Sequence, residues 1–378
     1  MNILLVASDN NVASGAFNSM VFLAKELKKN GNNVYVTIPC KGNGEKLLKE
    51  NDINYLFVKS YNWIGKTYND RITKLKNIIK KVRLIYNVLP YFKYKQIIKK
   101  YNIDIVHNNT VYTYIAALAA KSCNKKLVWH IREFLEEDQN SKFLLKNYSI
   151  RLLNQSDKII CISHTIYDKY SKILNENKLE IVYNGIDINK YYVEREILQN
   201  KKVRMLCVGG VTEKKGQFDL VDSLGKFYKN NKLDFELKLV GNYDKKAALR
   251  IKELEQKYNI FVELCGKQDN TPKFYKNADI VYMCSVSEAF GRVTVEGMLS
   301  GALIIGKNCA ATCELLQNNK TGLLYYNTND LVEKIKYVYD NIDVCKMIAK
   351  NGQKDASKRF TSEINGREIN EIYKNLIK

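Results

Sequence analysis

Short apolar runs rich in branched residues alternate along the chain with longer stretches in which apolar positions recur every three or four residues. Asn2 to Ala7 (Asn-Ile-Leu-Leu-Val-Ala) has the length and branching of a buried strand. A polar loop, Ser8 to Ser14, follows. Gly15 then opens a helix to Lys29 that turns Phe17, Met20, Val21, Leu23, Ala24 and Leu27 inward, and Gly31 ends it. Val34 to Ile38 is the next strand. Asp104-Ile105-Val106-His107 and Leu127-Val128-Trp129-His130-Ile131 read as strands running into polar loops, and Ser156 to Ile160 as another. Residues 188–202 are polar and irregular and read as a linker. The same rhythm restarts at Val203 to Val208. Strands follow at Ile280 to Cys284 and Ala302 to Ile305, with a helix starting near Arg292 or Val293. Leu331 to Ile348 is amphipathic, and Thr361 to Ile377 is a last helix. The pattern predicts an α/β protein with two parallel-sheet halves.

Length agrees, because 378 residues exceed one ordinary core. The longest uncharged apolar run, Tyr112 to Ala120, is too short to span a bilayer. Met1 to Ala7 lacks a basic leader and a cleavage site, so it reads as a strand and not as a signal peptide. Nine cysteines, with no C-x2-C pair, suit reduced thiols in a cytoplasm; Cys161, Cys207, Cys265 and Cys284 fall in or beside strand-like runs. The formal charge of +21 changes the picture more. It suits a polyanion or an anionic membrane surface. From Lys66 to Lys100, eleven lysines and arginines face one acid, Asp70, while Ile72, Leu75, Ile78, Ile79, Val82 and Ile85 recur at helical spacing. This is a basic amphipathic helix. It is either a core helix with a solvated lysine face or a helix that docks on anionic lipid headgroups.

Candidate chemistry concentrates in Ser285 to Gly301, Ser-Val-Ser-Glu-Ala-Phe-Gly-Arg-Val-Thr-Val-Glu-Gly-Met-Leu-Ser-Gly. A loop with Glu288 and Gly291 leads into a helix that carries Glu296. A helix start offers unpaired amides and a partial positive charge, and glycine lets a phosphate come close to the backbone. Carboxylates at Glu288 and Glu296 then suit sugar hydroxyls, including those of a ribose.

The run Glu-Ala-Phe-Gly-Arg-Val-Thr-Val-Glu resembles the E-x7-E motif of retaining glycosyltransferases of the GT-B architecture, in which two Rossmann-like domains face each other across a cleft. The nearest group is glycosyltransferase family 4, with its "glycosyl transferases group 1" domain. Gly209-Gly210-Val211-Thr212-Glu213-Lys214-Lys215-Gly216 resembles the family's donor loop, with Lys215 at the lysine that steadies the diphosphate. Gly210 stands where the family usually has arginine, so Lys214 or Arg292 compensates, or backbone amides hold the diphosphate. Asn184-Gly185-Ile186-Asp187 is similar to a signature at the end of the first domain, with Tyr183 in place of proline. Only Gly15 matches the glycines of the family's first loop. The resemblance implies an N-terminal acceptor domain over 1–187, a linker over 188–202, a nucleotide-sugar domain over 203–360, and a helix over 361–378 that crosses back to the first domain.

The resemblance further implies that Glu288 and His130 are catalytic, that Gly15, Gly209, Lys215, Phe290, Gly291, Arg292 and Glu296 bind the donor, and that His107 lines the acceptor side. His164 would cap the helix after its strand. No D-x-D, H-E-x-x-H or Cys/His ligand cluster occurs, so no metal and no cofactor is implied. The implied activity is transfer of a hexose-type sugar from a nucleotide-sugar, expected to be a UDP-sugar, to a saccharide or lipid-linked acceptor in bacterial surface polysaccharide assembly. The expected location is the cytoplasm, with peripheral contact on the inner face of the cell membrane through 66–100, and no nucleic-acid partner. Three rivals stand beside this reading. A nicotinamide dehydrogenase would need G-x-G-x-x-G after the first strand, which is absent. A sugar-nucleotide epimerase or inverting enzyme would share the fold. A non-catalytic basic membrane- or nucleic-acid-binding protein would explain the charge but not the two acids.

Overall fold

The computed structural model describes residues 1–231 and 234–378. The chain divides into two compact units, Met1–Gly185 with Ser362–Lys378, and Ile186–Thr361.

The strands of the first unit are β1 (Asn2–Val6), β2 (Asn33–Ile38), β3 (Asn54–Phe57), β4 (Ile64–Lys66), β5 (Ile105–Asn108), β6 (Lys126–Ile131), β7 (Ser141–Phe143), β8 (Lys158–Cys161) and β9 (Leu179–Ile181). A parallel sheet runs in the order β3-β2-β1-β5-β6-β8-β9, and β4 and β7 form a separate antiparallel ribbon. β1 lies between β2 and β5, with Ile3 opposite both Val34 and Ile105. Because helices cover the sheet, its central strands are apolar on both faces. Phe17, Met20, Val21 and Leu27 of the helix Gly15–Lys29 pack on it, and so do Ile369 and Tyr373 of the helix Ser362–Ile377. Each such side chain contributes about 1.5–3 kcal/mol on burial. The end of the chain thus belongs to the first core, and Asn32 donates to Asn370 at 2.8 Å beside it.

The second unit holds β10 (Val203–Val208), β11 (Phe235–Val240), β12 (Val262–Gly266), β13 (Ile280–Met283), β14 (Leu303–Lys307) and β15 (Leu323–Tyr325) in one parallel sheet, order β12-β11-β10-β13-β14-β15. Strand order reverses between β10 and β13 here, and between β1 and β5 in the first unit. In sheets of this kind ligands bind beyond the C-terminal ends of the strands at the reversal.

Four local expectations need correction. Residues 66–100 form two helices, Arg71–Arg83 and Val88–Lys100, joined by a tighter turn at Leu84–Asn87. Buried Asn87 breaks the run by pairing both side-chain polar groups with the Tyr61 backbone, at 2.8 Å each. Residues 188–202 are not a free linker. A short helix spans Ile188–Tyr191, Tyr191, Ile197 and Leu198 are buried, and Arg195 donates to the carbonyls of Ser300, Tyr275 and Ala278. The amphipathic stretch 331–348 is split between helices Thr328–Asp340 and Ile342–Arg359, where Asn341 donates to the Tyr337 carbonyl. Ser163, not His164, caps the helix His164–Ser171, accepting from the Ile166 amide. Among the described residues no helix is long and apolar enough to cross a membrane.

Candidate active site

At the reversal in the second unit, the loop after β10 meets the loop after β13. Gly216 (φ +73°) makes this possible: a Cβ there would lie 2.3 Å from the Cys284 carbonyl oxygen. The Val286 amide donates to the Lys214 carbonyl at 3.1 Å, and Gln217 Nε2 bridges the carbonyls of Gly209 and Gly210 at 3.3 and 3.1 Å. Gly209 itself sits at φ +140°. So braced, the first loop brings Lys215 Nζ onto Glu288 Oε1, and both side chains stay partly open to solvent.

Gly291 (φ +83°) turns the second loop into the helix Arg292–Leu299, and as the N-cap it brings no side chain to that helix start. Thr294, fully buried in its first turn, has a hydroxyl with no hydrogen-bond partner among the described residues. One turn on, Glu296 is nearly buried and accepts from Arg292 at 3.1 Å. Tyr191 and Tyr275 lie beside it; burial, then the charge of Glu296, pushes both phenols up. Phe290 is buried edge-on to Phe360, with ring centres 6.0 Å apart. Two cations, two carboxylates and a helix start therefore share one corner, suited to a phosphate with hydroxyls on either side. Position 210 stays open: a Cβ there would meet only the Asn242 carbonyl, at 3.6 Å. Of the candidates to replace the family's arginine, Arg292 pairs with Glu296.

In the first unit the reversal carries a buried histidine pair. His107 lies next to the end of β5 and His130 near the end of β6, one strand over, and both are fully buried. The Tyr373 hydroxyl lies 2.5 Å from His107 Nδ1, His107 Nε2 lies 3.2 Å from His130 Nδ1, and Arg132 Nη2 lies 3.1 Å from the same Nδ1. Arginine only donates, so His130 Nδ1 accepts and the ring proton sits on Nε2. That Nε2 is buried with no hydrogen-bond partner among the described residues. Burial first, and then the charge of Arg132, lowers His107 to about 3; the same causes, with His107 added, hold His130 well below its usual value. Asn109 and Asn184 accept from Arg132. Glu133 accepts from the Val111 and Arg132 amides, yet burial raises it to about 7.

The structure thus gathers Gly209, Lys215, Glu288, Phe290, Gly291, Arg292 and Glu296 at one reversal and His107 with His130 at another. Gly15 stands at the start of its helix behind the cap Ser14, and Asn109 donates to the neighbouring Ala16 carbonyl at 3.0 Å. Arg132, Thr294 and Tyr373 were not foreseen from sequence. Arg132 lay in a quoted strand end and could have been noticed; Tyr373 is 266 residues from its partner His107 and carries no local signal. Among the described residues no group of three or more His, Cys, Asp or Glu side chains is placed to hold a metal ion.

The family models for "Glycosyltransferase Family 4" and "Glycosyl transferases group 1" match residues 13–190 and 192–355. An uncharacterized glycosyltransferase of Methanocaldococcus jannaschii is 30% identical over 346 residues, 88% of this chain and 92% of that protein. This chain is a family 4 glycosyltransferase. The capsular polysaccharide biosynthesis glycosyltransferase CapM of Staphylococcus aureus is 23% identical, over 58% of this chain and 62% of CapM. Among solved structures, Anabaena HepE in complex with UDP and glucose superposes with a TM-score of 0.80 at 20% identity, covering 99% of this chain and all of that one. The family 4 transferase accordingly has the GT-B fold, two parallel-sheet α/β domains.

Proposed function

We propose that the transferase takes a UDP-sugar in its second unit and passes the sugar to a saccharide or lipid-linked acceptor with retained anomeric configuration, in assembly of a bacterial surface polysaccharide. The observation that carries the reading is the placing of Lys215 against Glu288 beside the helix start at Gly291. HepE, solved with UDP and glucose, and the capsule enzyme CapM support the donor and the pathway class.

In this scheme Lys215, Arg292 and the helix start neutralise the diphosphate without a resident metal ion. The bond from the anomeric carbon to the diphosphate oxygen breaks and UDP leaves. The acceptor hydroxyl oxygen bonds to that carbon on the same face, and its proton goes to the departing phosphate oxygen. Glu288 orients hydroxyls of the transferred sugar and stabilises positive charge near the anomeric carbon, and Glu296 holds the ribose. In the first unit His130, locked as the Nε2–H tautomer, offers a donor to a hydroxyl of the acceptor, with His107 and Tyr373 behind it. Proton NMR of the first product formed from an α-linked UDP-sugar tests the stereochemistry. An α-anomeric coupling is expected, and a β-anomeric one would make the enzyme inverting.

We further propose that residues 66–100 meet an anionic membrane. The helix Arg71–Arg83 is turned inside out: it buries no residue. Its polar side faces the protein, where Asn77 pairs with the Lys66 backbone at 2.9 and 3.1 Å and Lys80 reaches the Ile64 carbonyl. Its apolar stripe faces solvent, with Ile72, Leu75 and Val82 each 58–66% exposed, and Leu89 in the next helix 79% exposed. Basic side chains flank the stripe, each adding about 1 kcal/mol near an anionic surface. In sedimentation, vesicles containing phosphatidylglycerol should carry down the wild type. Ile72→Ser/Leu75→Ser/Val82→Ser should weaken that at least tenfold. Equal pelleting of both proteins would place the contact elsewhere.

A further inference from the structure

Behind the inverted helix, still within the first unit, lies a cavity of about 810 Å³. The helix Arg71–Arg83, the ribbon strand β7 and the helices Lys146–Asn154 and His164–Ser171 enclose it, together with the residues just after that last helix. Its apolar lining includes Leu135, Phe143, Leu144 and Ile150. Lys74, Lys81, Lys142, Lys146 and Lys172 also line it, all of them exposed. None of the five makes an ion pair or hydrogen bond to a carboxylate among the described residues. The acid on its edge, Glu136, is already held, with Glu137, by Lys169. The cavity falls in the size range of small-molecule sites, so it can hold part of a ligand and is not a packing gap.

An apolar pocket with an uncompensated lysine rim asks for two things at once. Hydrocarbon fills the lining, and an oxyanion neutralises the rim. Five lysines around one mouth, with no carboxylate paired to them among the described residues, give an anion a favourable place. Lysine binds phosphate as a point charge, without the planar geometry a carboxylate fork demands. We infer that this cavity is a binding site for an anionic phospholipid, its phosphate at the lysine rim and a hydrocarbon chain inside. The inference rests on the membrane reading of residues 66–100, since the helix that bears the stripe also forms one wall. It adds a defined lipid site to a diffuse contact.

The test uses the full chain and dihexanoyl phosphatidic acid below its micelle concentration, so that no bilayer is present, with calorimetry as readout. Phosphatidic acid should bind at least tenfold tighter than dihexanoyl phosphatidylcholine and tenfold tighter than inorganic phosphate. Lys142→Ala/Lys146→Ala/Lys172→Ala should lose at least tenfold of that affinity with an unchanged unfolding temperature. Ile150→Asp, which puts charge into the lining, should lose it as well. The stripe variant Ile72→Ser/Leu75→Ser/Val82→Ser should keep it, because none of those residues lines the cavity. Monomer binding by a wild-type protein that does not pellet with vesicles would refute the membrane reading and leave the lipid site standing. Equal affinity for phosphatidylcholine or for free phosphate, or wild-type affinity in the lysine variant, would overturn the site.

Discussion

Glu288→Gln should lower sugar transfer by at least about 100-fold and leave the protein folded. The substitution keeps size and shape and removes one negative charge from the corner where Lys215 and the helix start at Gly291 converge. In the proposed mechanism that charge stabilises the sugar as its bond to the diphosphate lengthens, so the loss falls on kcat more than on donor affinity. Stability changes little, because the Lys215–Glu288 pair is partly solvent-exposed and such pairs contribute about 0–1 kcal/mol. Steady-state kinetics with a radiolabelled donor, beside thermal unfolding, measures both. Wild-type kcat in Glu288→Gln would remove this carboxylate from the mechanism, and loss of activity together with a collapsed unfolding temperature would assign it a structural role.

Acidification should destabilise the first unit. His107 and His130 are neutral in the fold, with His107 held at about 3 and His130 well below its usual value, and both take up protons once unfolded, near pH 6.5. Their contribution is therefore complete above pH 6.5 and falls away as pH drops toward the folded values. Glu133 acts in the opposite sense: burial raises it to about 7, so between its unfolded value and about 7 the folded state holds a proton that the unfolded state has lost. Two histidines against one carboxyl leave a net of one proton between roughly pH 4.5 and 6.5, or about 1.4 kcal/mol of stability lost per pH unit, and the slope steepens below that once Glu133 no longer opposes it. Both tryptophans, Trp63 and Trp129, are buried in the first unit, so their fluorescence reports on it alone. Urea midpoints read by tryptophan should fall steadily from pH 6.5 to 4.5. A midpoint that rises on acidification over that range would mean that both histidines are charged in the fold, leaving Glu133 alone shifted.

Much of this was legible because the relevant physics is local. The helix Gly15–Lys29 could be bounded from its glycine, its apolar spacing and the following Gly31, and the structure places it there. The Glu288–Glu296 segment could be read because a loop, a glycine and a helix start lie in consecutive residues. What stayed hidden depends on tertiary partners. Whether the apolar stripe of 72–85 faces core or solvent has no signature in its spacing; the side chosen by Asn77 and Lys80 decides it. Asn87 breaks the helix because Tyr61, far back in the chain, offers its backbone. The lock on His130 comes from Arg132, and His107 behind it meets Tyr373, brought in by the last helix. Residues 188–202 look polar, yet Arg195 spends its charge on buried carbonyls of the second unit.

The most direct test of the donor site is UDP binding by calorimetry to the wild type, Lys215→Ala and Glu296→Ala. The expected result is saturable binding by the wild type, weakened at least tenfold in each variant: Lys215→Ala removes a cation from the diphosphate and Glu296→Ala removes the grip on the ribose. Undiminished UDP affinity in both variants would contradict the placing of the nucleotide at this corner.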